Sequence, residues 1–218
     1  MRRPVDGKHR PDLAVERKLL GDGCSRIAGL DEAGRGAWAG PVVAAAVVLP
    51  LDHSDLAKSL AGVRDSKQMT SVQREFWASA IRQIALGIGL GVASSQEVDH
   101  EGLIAATREA MARALVDLGE QPEHLLIDHL PLPEIPLPQT VLTRGDARVL
   151  SIAAASVIAK VARDHMMVDL DEHHPGYGFA RHKGYGTPQH RTALTHLGPC
   201  PSHRFSYAPV AACLSSTD

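Results

Sequence analysis

The stretch SRIAGLDEAGRGAWAGPVVAAAVVLP, residues 25–50, decides the fold. Its two ends, SRIAGLD (25–31) and PVVAAAVVLP (41–50), are rich in aliphatic residues and predict two β-strands. The glycine-rich segment between them predicts the loop that joins the strands. Because two consecutive strands with a short connection form a meander, we expect a mixed sheet rather than an all-parallel one.

The rest of the chain alternates predicted strands with predicted helices. Further strands are expected over residues 86–94, 124–128 and 140–144. The expected helices are a short one in DLAVERKLL with Asp12 as its N-cap, one after a Thr70–Gln73 capping box, one over about 101–118, a long one after Asp146 and one near 188–197. This order predicts an α/β fold, with a mixed sheet covered by helices. In the strand at 86–94, Gly87, Gly89 and Gly91 leave one face bare, so a close neighbour is expected there.

Length and composition indicate one soluble globular domain. The chain has 218 residues, of which 44% are hydrophobic and 22% charged. Residues 1–11 are expected to be disordered and residues 12–218 to form the single domain. No apolar run reaches the length of a membrane span, and no signal-type segment follows the first arginines, so we expect a cytoplasmic protein. Cys24, Cys200 and Cys213 lack metal-ligand spacing and are predicted to be reduced thiols.

Charge is unevenly distributed along the chain. A net charge of −2 argues against a protein that coats nucleic acid. However, no Asp or Glu lies between residues 173 and 217, where Arg181, Lys183, Arg191 and Arg204 are found. This is consistent with one face that touches a polyanion, and equally with a solvated basic surface. The irregular spacing of the histidines in this region favours surface or phosphate-facing roles over metal ligation.

Four acids stand at predicted strand ends or before a helix: Asp31, Glu32, Asp128 and Asp146. Asp31 and Glu32 can face one site only if their strand ends there and the loop turns Glu32 back. Four gathered carboxylates would repel one another, and a divalent cation would relieve that repulsion. Oxygen ligands favour Mg²⁺ or Mn²⁺ over zinc, and two such ions can drive phosphodiester hydrolysis. Each acid taken alone could instead be a cap or a surface charge.

The segment after the acid pair is Gly34-Arg35-Gly36. The glycines allow backbone N–H groups to approach a ligand and permit positive φ, and Arg35 supplies a charged fork between them. A plain tight turn is the alternative explanation. Further along, Lys67 could touch a phosphate or simply lie on the surface, and Lys160 could face a duplex. Arg163 and Asp164 are expected to be charges on the surface of the long helix.

The motifs together resemble the type 2 ribonuclease H family, and within it the ribonucleases HII. The residues that carry the resemblance are GLDEAGRGAWAGPVVAAAVVL, DSKQMT, LLIDH, RGDARVLSIAAASVIAKVARD, YGFARHKGYGT and HRFSY, which together run through most of the chain. Their combination is far more specific than any single motif. Departures from the family pattern are His129 where Gly is usual, Arg144 where Lys is common, and RFSY in place of Arg-Ser-Phe.

The resemblance implies a ribonuclease H-like sheet, a helical C-terminal region and a substrate-binding segment from about residue 173. It implies hydrolysis of RNA in RNA–DNA hybrids, and cutting on the 5′ side of single ribonucleotides embedded in duplex DNA. Asp31, Glu32, Asp128 and Asp146 would be the catalytic and metal-binding acids, with two Mn²⁺ or Mg²⁺ ions. Substrate would be bound by Gly34, Arg35, Gly36, Tyr185, Lys67, Arg181 and Lys183.

Two rival functions remain open at this point. One is another metal-dependent nuclease on the same fold, and the other is a non-catalytic nucleic-acid-binding module. The GRG segment with Tyr185 argues against the first, and the four intact acids argue against the second. The expected partners are the RNA–DNA hybrid and the ribonucleotide-containing DNA duplex, with no membrane, and the expected state is a monomer.

Overall fold

The computed structural model describes residues 10–214 as one mixed five-stranded sheet with helices on both faces. The strands are β1 (Ile27–Ala33), β2 (Val42–Val48), β3 (Gly87–Ala93), β4 (His124–Asp128) and β5 (Gln139–Leu142). The helices are α1 (Ala14–Gly21), α2 (Leu56–Ser59), α3 (Ser71–Ile84), α4 (Ser95–Glu101), α5 (Leu103–Asp117), α6 (Leu150–His173), α7 (Phe179–His182), α8 (Pro188–Leu197) and α9 (Ala208–Leu214). Short 3₁₀ turns cover Ser66–Gln68 and Gly145–Ala147.

The sheet has the order β3-β2-β1-β4-β5. β1 pairs antiparallel with β2, and β2 antiparallel with β3, which is the predicted meander. β4 pairs parallel with β1, and β5 parallel with β4. The prediction of a mixed α/β sheet is therefore confirmed. Because β1, β4 and β5 run parallel, their carboxyl ends lie at the same edge of the sheet.

Helix α6 lies against one face of the sheet and α5 against the other. The small residues of α6 allow a close approach, since a Cβ added at Gly29 of β1 would lie 2.3 Å from the Ser151 backbone. The bare face of β3 is filled in the same way by α5. A Cβ at Gly91 would lie 1.9 Å from the Ala110 carbonyl oxygen, as the glycine alternation predicted.

The start of the first helix needs a correction. Helix α1 begins at Ala14 with Leu13 at the N-cap, although Asp12 Oδ1 does accept the Ala14 N–H at 2.9 Å. The predicted Thr70–Gln73 capping box is present before α3. That helix buries Ala78 and Ile81, whereas Val72 and Phe76 are 77% and 62% exposed.

Strand β1 has the predicted length of seven residues but lies two residues further along the chain than predicted. Asp31 and Glu32 lie within it, opposite Ala45 and Ala44 of β2, so the strand does not end at Asp31. Most of the segment expected to be disordered, residues 1–9 of 1–11, lies outside the described residues, while Pro11 is buried. No helix within residues 10–214 is long and apolar enough to cross a membrane.

Candidate active site

The sheet and one turn bring the four predicted acids to the same end of the molecule. Asp31 is buried near the end of β1, and Asp128 is the last residue of its parallel neighbour β4. Asp146 lies in the 3₁₀ turn that precedes α6, and that turn is tied to β4 because the Gly145 N–H donates to Asp128 Oδ1 at 2.7 Å. Glu32 follows Asp31 on β1, and its backbone N–H donates to Asp31 Oδ1 at 2.7 Å.

These carboxylates are close enough to shift one another's protonation. Burial, followed by the charges of Glu32, Asp128 and Asp146, raises the pKa of Asp31 well above its usual value. Burial, followed by the charges of Asp65 and Asp128, raises the pKa of Asp146 to about 6. Burial also raises the pKa of Glu32, against the opposing charge of Arg35. Such mutually raised carboxylates are a feature of functional sites.

The donor set fits a hard divalent cation. All four predicted ligands offer carboxylate oxygens, which Mg²⁺ and Mn²⁺ prefer. Glu32 Oε2 is buried without a hydrogen-bond partner, a cost that a bound cation would remove. Among residues 10–214, no three His, Cys, Asp or Glu side chains already have metal-binding geometry.

The two glycines of the GRG loop, residues 34–36, have different structural roles. Gly34 has φ +99°, and a Cβ there would lie 2.0 Å from Nε of Arg163, so both backbone shape and packing demand glycine. Gly36 lacks a positive φ, contrary to expectation, and a Cβ there would meet only open space. Between them, Arg35 Nη1 donates to Glu32 Oε1 at 3.2 Å, which places the guanidinium beside the acid cluster.

Tyr185 and the GRG loop line the same cleft. This GRG cleft, of about 260 Å³, is lined by Glu32, Ala33, the GRG loop, Ser66, Lys67, Lys160 and Tyr185. The Tyr185 ring centroid is 5.6 Å from Lys160 Nζ and 5.5 Å from Arg163 Cζ. A flat ring and a glycine-bearing backbone therefore line the same opening.

Lys67 lies between the GRG cleft and a neighbouring cleft that contains Asp128, His129 and Asp146. Partial burial acts to lower its pKa, but the charges of Asp31, Asp65, Asp146 and Glu32 raise it above the usual value. The lysine therefore stays charged beside the acids, where a phosphate could be bound.

A family model for ribonuclease HII matches residues 28–210. The chain belongs to the ribonuclease HII family. It is similar to the ribonuclease HII of Synechococcus sp. (strain JA-3-3Ab), with 52% identity over 94% of this chain and 92% of the relative. It is also similar to that of Geobacillus kaustophilus (strain HTA426), with 48% identity over 100% of this chain and 81% of the relative.

Solved structures agree with the family assignment. Ribonuclease H2 from Pyrococcus horikoshii OT3 superposes with a TM-score of 0.73 at 25% identity, covering 87% of this chain and 97% of that one. The ribonuclease HII in a complex with PCNA from Archaeoglobus fulgidus superposes with a TM-score of 0.70 at 29% identity, covering 84% and 95%. The chain is thus a hydrolase of the ribonuclease H type with the expected ribonuclease H-like fold.

Two of the predicted substrate residues do not line the GRG cleft of this ribonuclease HII family member. Arg181 and Lys183 line an adjoining groove of about 500 Å³, which shares Lys160 with the GRG cleft and also contains Arg74 and Asp164. Lys183 Nζ donates to the Ala180 carbonyl at 2.6 Å, whereas Arg181 is exposed. None of the four predicted catalytic acids lines this groove.

Sequence reasoning misplaced several charged and polar residues. Arg163 and Asp164 are buried, not on the helix surface, and Asp164 pairs with both Arg74 and Lys160. His182, His190 and His203 are buried as well, in contrast to the surface or phosphate-facing roles expected for them. The sequence offered little sign of this, because the segments that cover Arg163 are distant in sequence.

Proposed function

We propose that this chain cuts the RNA strand of RNA–DNA hybrids, and that it nicks duplex DNA on the 5′ side of a single embedded ribonucleotide. The products would carry 3′-hydroxyl and 5′-phosphate ends. The observation that carries the proposal is the GRG cleft, which contains an acid of the carboxylate cluster, the GRG loop and Tyr185 in one opening.

The GRG loop is suited to reading the ribonucleotide. The 2′-hydroxyl, a donor and an acceptor, is what distinguishes the ribose from deoxyribose at a given site. Since a Cβ at Gly36 would point into open space, the backbone here can come close to a sugar without a side chain in between. A site built to hydrogen-bond that hydroxyl would reject an analogue without it more strongly than an apolar pocket could.

Tyr185 is suited to reading the next sugar. Its ring is half-buried and rests above the cations of Lys160 and Arg163, so its position is fixed. A flat ring against the sugar would be crowded by a second hydroxyl and would favour deoxyribose. The two elements together would select a ribonucleotide followed by DNA.

The chemistry would take place at the carboxylates. Asp31, Glu32, Asp128 and Asp146 would hold two Mg²⁺ or Mn²⁺ ions, which supply the activated water and stabilise the leaving oxygen. Lys67, between the acids and the GRG loop, would hold the phosphate. Arg181 and Lys183 would contact the duplex further along the adjoining groove. A cytoplasmic, monomeric enzyme remains our prediction.

The test compares four substrates with and without Mg²⁺ or Mn²⁺: DNA with one ribonucleotide, an RNA–DNA hybrid, duplex DNA and duplex RNA. We expect a single nick in the first, several in the second, and metal dependence in both. Tyr185→Ala should lose most of the single-ribonucleotide activity, and Tyr185→Phe, the matched control, should keep it because it keeps the ring.

Two results would contradict the proposal. Degradation of hybrids without nicking at the single ribonucleotide would favour recognition that spans several ribonucleotides. Cleavage of duplex DNA or RNA would support the alternative of another metal-dependent nuclease on this fold.

A further inference from the structure

Two arginines beneath the GRG cleft are unusual in their burial. Arg163 of α6 and Arg204 have fully buried side chains. Within residues 10–214, neither has a carboxylate within the 4.0 Å of an ion pair. Burial lowers the pKa of Arg163 to about 10, which shows how poorly the site solvates the cation. A buried cation without a counter-ion is costly, so a compensating role for its donors is expected.

We propose that Arg163 and Arg204 are positioning residues that fix the GRG loop relative to Tyr185, and thereby set the preference for a ribonucleotide–DNA junction over continuous RNA. This inference rests on the proposed function of the GRG cleft. Neither side chain is expected to touch the substrate, because both are fully buried.

The planar guanidinium of Arg163 connects the segment after the GRG loop to the turn before Tyr185. Its Nε donates to the Pro41 carbonyl at 2.8 Å and its Nη2 to the Ala39 carbonyl at 3.2 Å, which fixes the segment between the GRG loop and β2. Its Nη1 donates to the Lys183 carbonyl at 3.0 Å, two residues before Tyr185. Since its Nε also occupies the space where a Gly34 Cβ would lie, the guanidinium contacts both the loop and the turn that carries the ring.

Arg204 sets the direction of the central peptide of the GRG loop. Its Nη1 donates to the Arg35 carbonyl at 2.9 Å, and the hydroxyl of Tyr207 donates to the same oxygen at 2.7 Å. The peptide bond is trans, so its N–H, that of Gly36, points opposite to its carbonyl. Two inward-facing donors on the Arg35 carbonyl therefore turn the Gly36 N–H outward, toward the exposed side of the loop.

The distance between the GRG loop and the Tyr185 ring matters most at a ribonucleotide–DNA junction. A single embedded ribonucleotide offers one productive register, in which the loop and the ring must both engage at once. A continuous RNA strand offers a 2′-hydroxyl at every sugar, so a displaced loop still meets one. A misplacement of 1 Å can cost about a hundredfold in rate, so a smaller shift should penalise the junction substrate selectively.

The test is the ratio of kcat/KM on the single-ribonucleotide duplex to kcat/KM on a continuous hybrid. Arg163→Lys keeps the charge but loses the planar fork that reaches three carbonyls. Arg204→Lys likewise loses the planar group that reaches the carbonyls of Arg35 and Gly40 together. We expect each variant to lower the ratio about tenfold. Tyr207→Phe removes one of the two donors to the Arg35 carbonyl, together with the hydroxyl that accepts from Arg204 Nη1 at 3.1 Å. It leaves the Arg204 guanidinium in place, so it should lower the ratio less while it folds normally.

Met111→Ala is the stability control, because Met111 is buried under the opposite face of the sheet. It should lower both rates together, without a change in the ratio. If the ratio is unchanged in both lysine variants and in Tyr207→Phe, the two arginines stabilise the fold but do not set the substrate preference. Failure of the wild type to nick the single ribonucleotide would instead overturn the proposed function itself.

Discussion

Asp128 is the acid whose removal best separates chemistry from folding. It is the last residue of β4 and only half-buried, and its Oδ1 accepts the Gly145 N–H. In Asp128→Asn, the amide oxygen can still accept that hydrogen bond, so we expect normal folding and duplex binding. Cleavage should be lost, because the variant lacks one charged metal ligand.

The matched control is Asp117→Asn, because Asp117 likewise accepts a backbone N–H, that of Leu90, at 2.8 Å. Cleavage of an RNA–DNA hybrid at saturating Mn²⁺ and urea denaturation measure the two effects. Near-normal turnover in Asp128→Asn would show that Asp128 is not a required metal ligand.

His129, which directly follows that acid, has φ +60°, in the left-handed region that glycine tolerates best. This explains why glycine is usual here in the family that the sequence resembles. His129→Gly should relieve the strain and raise the free energy of unfolding by about 1 kcal/mol. His129→Asn should fall between the two, since asparagine tolerates this conformation better than most residues. A Gly variant no more stable than the wild type would show that the histidine side chain compensates for the strain.

At the residue scale, sequence motifs indicate which residues belong to a candidate site better than they indicate which residues are buried. The acids, the GRG loop and Tyr185 could be proposed as site residues from the sequence, because their types and spacing resemble the family pattern. The buried positions of Arg163, Asp164 and His190 could not, because burial depends on what other segments cover. Arg163 is covered by the loop at 39–41 and the turn at 183–185, which are distant in sequence.

Strand β3 and helix α5 show what the sequence does predict at the level of elements. The alternating glycines predicted a close neighbour, and α5 is that neighbour. Gly91→Ala would place a Cβ 1.9 Å from the Ala110 carbonyl oxygen, so we expect a loss of about 3 kcal/mol in the free energy of unfolding. Gly87→Ala is the matched control, since its Cβ would meet only the flexible Leu118 side chain at 3.0 Å. Equal losses in the two variants, measured by urea denaturation, would contradict this packing.

The ends of elements were harder to predict than their existence. The aliphatic runs located β1 and β2, but β1 continues through the acid pair because Ala33 still pairs with Val43. Pairing is a property of two strands, and the hydrophobicity of one strand does not show where it stops. Similarly, the period of α3 was visible, yet which of its apolar residues lie against the sheet depended on how the helix is rotated about its axis.

The charge distribution of the whole molecule predicts a salt dependence. No acidic residue lies between 173 and 217, and Arg181 and Lys183 line the groove that adjoins the GRG cleft. Arg181→Gln with Lys183→Asn should lower the slope of log K against log salt by about two units for a duplex. Asparagine suits position 183, where φ is +54°. Arg82→Gln with Arg108→Gln, on α3 and α5, should leave the slope unchanged. An unchanged slope in the first variant would place the duplex elsewhere.

Buried histidines should also make the fold sensitive to acid. Burial, chiefly, lowers the pKa of His190 and of His203 to about 4. His190 contacts the rings of His182 and His203, and His203 contacts Cys200. As the pH falls from about 6.5 to about 4, these histidines bind protons in the unfolded chain but stay neutral in the folded chain. The free energy of unfolding therefore falls over this range. The raised carboxylate pKa values act in the opposite direction over the same range.

A variant separates the two effects. His190→Gln should be less stable than the wild type at pH 7, and the gap in unfolding free energy should shrink by roughly 2 kcal/mol at pH 4.5. His196→Gln, at an exposed position, is the control for loss of an imidazole. A gap that stays constant with pH would show that the cluster is not held neutral.

The contacts of Arg204 and Tyr207 with the Arg35 carbonyl have a consequence during translation. The GRG loop and the first acid pair are synthesised early, whereas the donors that orient the loop are 169 and 172 residues further along the chain. A nascent chain with all four acids already outside the ribosome would still lack an ordered loop. Under the proposed role of Arg204 and Tyr207, the GRG loop would become ordered and selective only after residue 207 has left the ribosome.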